Sequence, residues 1–279
     1  MTILINRVSK AYRKRGLFGL VMAFITYPYR HLDLRSRYLD LCARYYLLRG
    51  KTTLTFGNLK IPFLVSQLTD ATGLCHTYKW ERFIWGYILR ELKPNDVFWD
   101  VGANIGFYSL LASSCPGVNV IAFEPNPATV KVLRKNIELN QRSNIKVLNI
   151  ALSESDGMAR FDTIQRDSTA AMAHLANEET DGTIEVVAKR GDKLVESGDV
   201  PKPDVLKIDV EGAEYLVLKG MSDALSSCRL IICELHSSIE RYGSSMDDFE
   251  MYLKNAGFLI EKKTRVPGYN TYHIIARRS

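Results

Sequence analysis

From Asp96 onward, apolar and polar positions alternate between two periods. Short apolar runs bounded by turn residues mark strands, and stretches with apolar residues three and four apart mark helices. "DVFWDVG" reads as a strand, "NIGFYSLLASS" as a helix, "NVIAFEP" as a strand, "PATVKVLRKNIELNQ" as a helix and "IKVLNIALS" as a strand. After a less regular stretch, Asp156–Gly198, containing the β-like "ARFDTIQ" and "TIEVVAKR", come the strand "DVLKIDVEG", a helix through "AEYLVLKGM" and the strand "RLIICELH". A helix around "MDDFEMYLKNAG" and two β runs, "FLIEKK" and "YHIIARRS", close the chain. Strands alternating with helices predict an α/β fold, a mostly parallel sheet with helices on both faces.

The first ninety residues follow another pattern. Residues 1–50 read as helical, with Tyr38, Leu41 and Tyr45 along one face of "LRSRYLDLCARYYLLRG". "TTLTFGNLKIPFLV" predicts a hairpin turning at Gly57-Asn58, and "TYKWERFIWGYILREL" a single helix stopped by Lys93-Pro94. The expected division is an N-terminal helical and hairpin extension over 1–92 and a catalytic domain over 93–279.

The charge is uneven. The net charge is +6, yet the first fifty residues hold ten Lys or Arg against Asp33 and Asp40, a local +8, so the remainder sums to −2. A basic arm suits nucleic acid, anionic lipid or a phosphorylated substrate, or forms a solvated helix surface. Its apolar run, Gly16–Tyr29, has about 13 uninterrupted residues, roughly 20 Å of helix. That is too short for the ~30 Å hydrocarbon core. With Arg13, Lys14, Arg15 and Arg30 around it, packing on the catalytic domain is the expectation, with peripheral membrane association through residues 10–30 as the alternative. Five cysteines without a C-x-x-C pair point to reduced thiols and a cytoplasmic location.

Two loops at the carboxyl ends of the first strands carry candidate cofactor chemistry. Gly102 and Gly106 bracket Ala103-Asn104-Ile105, and Glu124 ends the next strand, where a carboxylate accepts from both hydroxyls of a ribose. NAD and S-adenosylmethionine both carry that ribose. Asn104 stands where a dinucleotide loop has its second glycine, and a side chain there crowds a diphosphate. Asp100, Glu124 and Asp209 collected at one edge suit a cationic cofactor. Farther on, Asp209, Glu211 and Glu214 fall within six positions, with Glu214 read as an acid favoured by the start of its helix. Glu234 and His236 share an edge by period-two spacing. Glu211, Glu234 and His236 are candidates to take a hydroxyl proton. Asp209, Glu234 and His236 could instead ligate a divalent ion.

"DVGANIGFYSLLA", "AFEPNP", "NIALSESDG" and "LKIDVEGAEYLVLKG" resemble the successive motifs of the FkbM-type S-adenosylmethionine-dependent methyltransferases, over about half the chain. The resemblance implies a class I methyltransferase (Rossmann-like) fold, a seven-stranded sheet whose last strand pair is antiparallel. It also implies O-methylation of a hydroxyl on a sugar, glycan or related metabolite. Asp100, Gly102, Asn104 and Gly106 would hold the methionine end, Glu124 the ribose with Asn126 beside it, and Ala151 and Leu152 the adenine. Asp209 and Glu211 would border the reacting methyl group. The rival readings are a nucleic-acid methyltransferase using the basic arm and an NAD-dependent oxidoreductase. No D/N-P-P-Y/F motif follows the fourth strand and no RNA-binding module is recognisable, so nucleic acid is the lesser expectation.

Overall fold

The computed structural model describes residues 34–163, 174–175, 182–266 and 270–279. The basic, apolar segment of residues 10–30 lies outside them. Among the described residues no helix is long and apolar enough to cross a membrane.

Two compact units are present. In the smaller, helices Leu34–Arg49 and Leu68–Trp80 pack through Ala43, Ala71, Leu74 and Cys75, all nearly inaccessible to solvent. Leu41 and Tyr45, placed along one face by their spacing, are exposed, at 66% and 55%. The larger unit contains Thr53–Leu64 and everything from Glu81 onward.

A hairpin, β1 (Lys51–Phe56) and β2 (Leu59–Leu64), turns at Gly57-Asn58 as the sequence predicts. The helix expected over "TYKWERFIWGYILREL" is in fact interrupted at Glu81, which separates Leu68–Trp80 from Arg82–Glu91. The Glu81 carbonyl starts the second helix by accepting the N–H groups of Ile84 and Trp85, and its carboxylate accepts the Tyr108 hydroxyl. The break therefore places an acid in the interior.

The remaining strands are β3 (Val97–Val101), β4 (Asn119–Phe123), β5 (Ile145–Leu148), β6 (Ala151–Leu152), β7 (Gly157–Asp162), β8 (His174–Leu175), β9 (Thr183–Lys189), β10 (Val205–Ile208), β11 (Leu230–His236), β12 (Phe258–Arg265) and β13 (Thr271–Arg278). The central sheet has the order β12-β13-β11-β10-β3-β4-β5. Its neighbours are parallel except at β13, which runs antiparallel to both β11 and β12. This is the seven-stranded class I methyltransferase sheet with an antiparallel final pair.

"IKVLNIALS" does not form one strand. β5 ends at Leu148, Asn149 turns to donate to the carbonyls of Glu124 and Pro125, and β6 joins β7–β9 in a separate four-stranded sheet. Both faces of the central sheet are covered. Trp99, Ile121, Leu206 and Ile231 meet Val217, Leu218, Phe249 and Leu253 of two later helices on one side. Ala122 meets Leu133 of helix Pro127–Leu139 on the other. Double burial leaves all four residues of β10 inaccessible, Lys207 included.

Candidate active site

Because β3, β4, β10 and β11 are parallel, their carboxyl ends share one edge, and the antiparallel β13 begins there. All the candidate residues except Ala151 and Leu152 lie in the last positions of these four strands or in the turns just beyond them. Gly102 (φ +84°) and Asn104 (φ +50°) take left-handed conformations that glycine and asparagine tolerate. A Cβ on Gly102 would sit 1.9 Å from the Asp209 carbonyl oxygen, so the glycine lets two loops close on one another.

The loop is pinned from behind by Asn136, which is fully buried. Its side-chain amide donates to the Ile105 carbonyl at 2.9 Å, and its oxygen accepts from the Leu64 N–H at 2.7 Å. The sequence reading missed this residue, because an Asn inside a helical pattern looks like a surface position.

Glu124 is 6% exposed. One carboxylate oxygen accepts the Asn104 N–H and the other the Asn126 N–H, both at 2.9 Å. Each oxygen keeps acceptor capacity for a ligand hydroxyl. Burial pushes its pKa up to about 7, and the two N–H donors oppose that rise. Asn126 also caps helix Pro127–Leu139 by accepting from Ala128 N–H. Asp100 is more enclosed than its sequence suggests. Ser109 donates to it at 2.5 Å, and burial lifts it to about 6. Ala151 and Leu152 are both core residues, Ala151 with Phe161 and Val186, Leu152 with Trp99 and Phe123.

The turn after β10 carries the second group. Glu211 (φ +57°) and Gly212 (φ +113°) are successive left-handed residues, and the Ser238 hydroxyl donates to the Glu211 carbonyl. A glutamate held at positive φ stores strain, which gathers at functional sites. The turn brings Glu211 3.2 Å from His236 Nε2. The other ring nitrogen, Nδ1, lies 2.7 Å from Glu214.

Glu214 opens its helix as expected, but that is not its whole role. It is completely buried, accepts the Gly212 N–H at 2.9 Å and fixes the imidazole. Burial disfavours the charged imidazole, but Glu211 and Glu214 outweigh that and raise the pKa well above its ordinary value. His236 thus sits between two carboxylates that favour its protonated form. Burial also raises Glu211, to about 7, with His236 drawing it back down.

Three further residues of this edge escaped the sequence reading. Lys207 is 1% exposed, its ammonium 3.1 Å from Asp209 and 4.8 Å from the centre of the Tyr108 ring. Burial works against its charge, and Asp209 and Glu234 more than restore it. Glu81 and His273 converge on Glu234, and His273 is its direct cross-strand partner. The metal set expected from spacing is thereby divided. Potential ligand atoms of Asp209, Glu211 and His236 form one group, and those of Glu81, Glu234 and His273 another, each within 4.8 Å.

The geometry fits S-adenosylmethionine. A desolvated carboxylate with free acceptor capacity could take a diol, and the surrounding acids suit a sulfonium. The FkbM methyltransferase domain matches residues 100–260. The hexuronic acid methyltransferase AglP of Haloferax volcanii is 40% identical over 153 residues, which span 55% of this chain and 61% of that protein. The 31-O-demethyl-FK506 methyltransferase FkbM of Streptomyces tacrolimicus is 30% identical over 223 residues, spanning 68% and 83%. The 2-O-methyltransferase NoeI of Sinorhizobium fredii is 27% identical over 169 residues, spanning 54% and 67%. With that domain matched over more than half of its length, the chain belongs to the FkbM methyltransferase family.

Proposed function

We propose that this protein transfers a methyl group from S-adenosylmethionine to a hydroxyl of a sugar, glycan or related small molecule. The observation that carries the reading is Glu124, buried at the end of β4 with both oxygens held by loop N–H groups. The cofactor supplies a methyl carbon on a positively charged sulfur, with a neutral thioether as leaving group. Glu124 would take the ribose hydroxyls, and the Gly102–Gly106 loop over Asp100 would hold the amino-acid end. The family relatives named for a hexuronic acid and for 2-O-methylation support a sugar acceptor.

The chain's own contribution is positioning and proton handling. A substrate hydroxyl directed at the methyl carbon releases its proton as the O–C bond forms. Glu211 is better suited to receive it than His236, whose two nitrogens already face carboxylates. His236, fixed by Glu214, holds Glu211 in place and compensates its charge. Asp209, paired with Lys207, borders the same space.

Calorimetric titration of the purified protein with S-adenosylmethionine and with NAD tests the cofactor. The expected result is saturable binding of the first only, and binding of NAD alone would overturn the reading. Incubation with isotope-labelled cofactor and a panel of hexuronic acid and neutral glycosides then tests the acceptor, read as a one-methyl mass increase.

A further inference from the structure

The residues that the methyl-transfer reading leaves unused are Glu81, Glu234 and His273, on the same sheet face as Lys207. Glu81 comes from the break between two helices, Glu234 from β11 and His273 from the facing position of β13. All three are largely enclosed, with Glu81 3% and His273 5% exposed. The His273 Nε2 atom is buried and has no hydrogen-bond partner among the described residues, lying 3.5 Å from a Glu234 oxygen out of hydrogen-bonding alignment. The Phe83 ring packs against the imidazole in a T-shaped arrangement, at 5.4 Å between centres and 69°. The Tyr108 hydroxyl fixes Glu81.

A buried imidazole nitrogen that completes no hydrogen bond, with two carboxylates beside it, would be satisfied by a positive partner. Lys207 does not supply it directly, because its ammonium is committed to Asp209 at 3.1 Å. The neighbouring group, Asp209, Glu211 and His236, is a poorer ligand set. Its histidine has Glu214 at 2.7 Å on one nitrogen and Glu211 at 3.2 Å on the other. Metal–ligand bonds of about 2.1 Å let one ion bridge atoms up to roughly 4.2 Å apart. The Glu81, Glu234 and His273 atoms, all within 4.8 Å, need close by only a fraction of an ångström.

We propose that Glu81, Glu234 and His273 form a binding site for a divalent transition-metal ion. One imidazole and two carboxylates suit Mn²⁺, Fe²⁺ or Zn²⁺ better than the all-oxygen ions Mg²⁺ and Ca²⁺. Tyr108 serves as the outer support for the Glu81 ligand. The other Glu234 oxygen lies 3.8 Å from His236 Nε2, so the ion would sit next to the methyl-transfer site and orient oxygen atoms of the acceptor. That role rests on the methyl-transfer reading, but ion binding does not.

The test uses the full chain, stripped with a chelator and titrated with Co²⁺. Visible absorption and elemental analysis report occupancy for wild type, Glu81→Gln and His273→Asn, with thermal unfolding followed in parallel. One Co²⁺ per wild-type chain, with affinity about tenfold or more weaker in both variants, is expected. If His273→Asn fails to fold, Glu81→Gln and the Mn²⁺-loaded wild type decide, the latter by pulsed EPR coupling to one imidazole nitrogen. No Co²⁺ uptake, uptake undiminished in Glu81→Gln, or no imidazole coupling would overturn the site. S-adenosylmethionine titration of the metal-free protein reads the methyl-transfer proposal separately.

Discussion

Glu211 shows how one residue sets strain against chemistry. At φ +57° a glutamate is disfavoured, whereas asparagine adopts this conformation more readily. Glu211→Asn should leave thermal stability equal or raised, while methyl transfer falls by roughly 10²- to 10⁴-fold, the range for a lost acid–base group. Unfolding curves and turnover measured on the same preparation check both halves. Glu214 acts one bond farther away. Because its carboxylate holds both the Gly212 N–H and His236, Glu214→Gln should lower kcat and leave the S-adenosylmethionine Kd nearly unchanged. Equal losses in both would mark Glu214 as merely structural. Neither consequence could be read from "DVEGAEY", where Glu214 looks like any acid opening a helix.

Among the elements, the Gly102–Gly106 loop is shaped less by its glycines than by what lies behind it. Asn136 ties the Ile105 carbonyl to the hairpin at Leu64. Asn136→Leu leaves that carbonyl and the Leu64 N–H buried without partners, at about 1–3 kcal/mol each. A lowered denaturation midpoint together with weaker cofactor binding should result, measured by urea unfolding and calorimetry. Gly102→Ala should be worse, since its methyl would overlap the Asp209 carbonyl as well as requiring positive φ. The helix pattern gave Asn136 correctly as part of Pro127–Leu139. It could not say that this turn of the helix faces a loop with unsatisfied backbone groups. A usable signal existed at Lys207, a lone cation within the apolar run Val205–Ile208, since a lysine in a doubly covered strand must be paired.

For the molecule as a whole, burial at the sheet edge couples pH to ligand binding. Glu124 moves from an ordinary 4.5 to about 7 in the folded protein. With its folded pKa raised, its contribution to stability is fully present below about 4.5 and is lost as pH rises through about 7. A ribose donating to the carboxylate favours the ionised form, so the two trends oppose each other. As pH falls below 7, the free protein should gain stability from this group. S-adenosylmethionine affinity should weaken by up to about tenfold per unit. Calorimetry across that range, with Glu124→Ala as the control that flattens the profile, tests the coupling.

Apolar runs, glycine turns and helix periods are local, so the sequence alone determined the class of fold, nearly all strand positions and the strand–loop–helix junction at Gly102–Gly106. It also placed Asp209, Glu211, Glu234 and His236 at one edge, because strand period and parallel order carry that information. The side-chain partners were decided only in three dimensions. Glu81 enters from a helix break more than 150 residues before Glu234, His273 arrives through antiparallel register, and Glu214 turns inward toward His236. Those pairings depend on which faces pack together and how far each charge is removed from water, and neither is written in the local pattern of the chain.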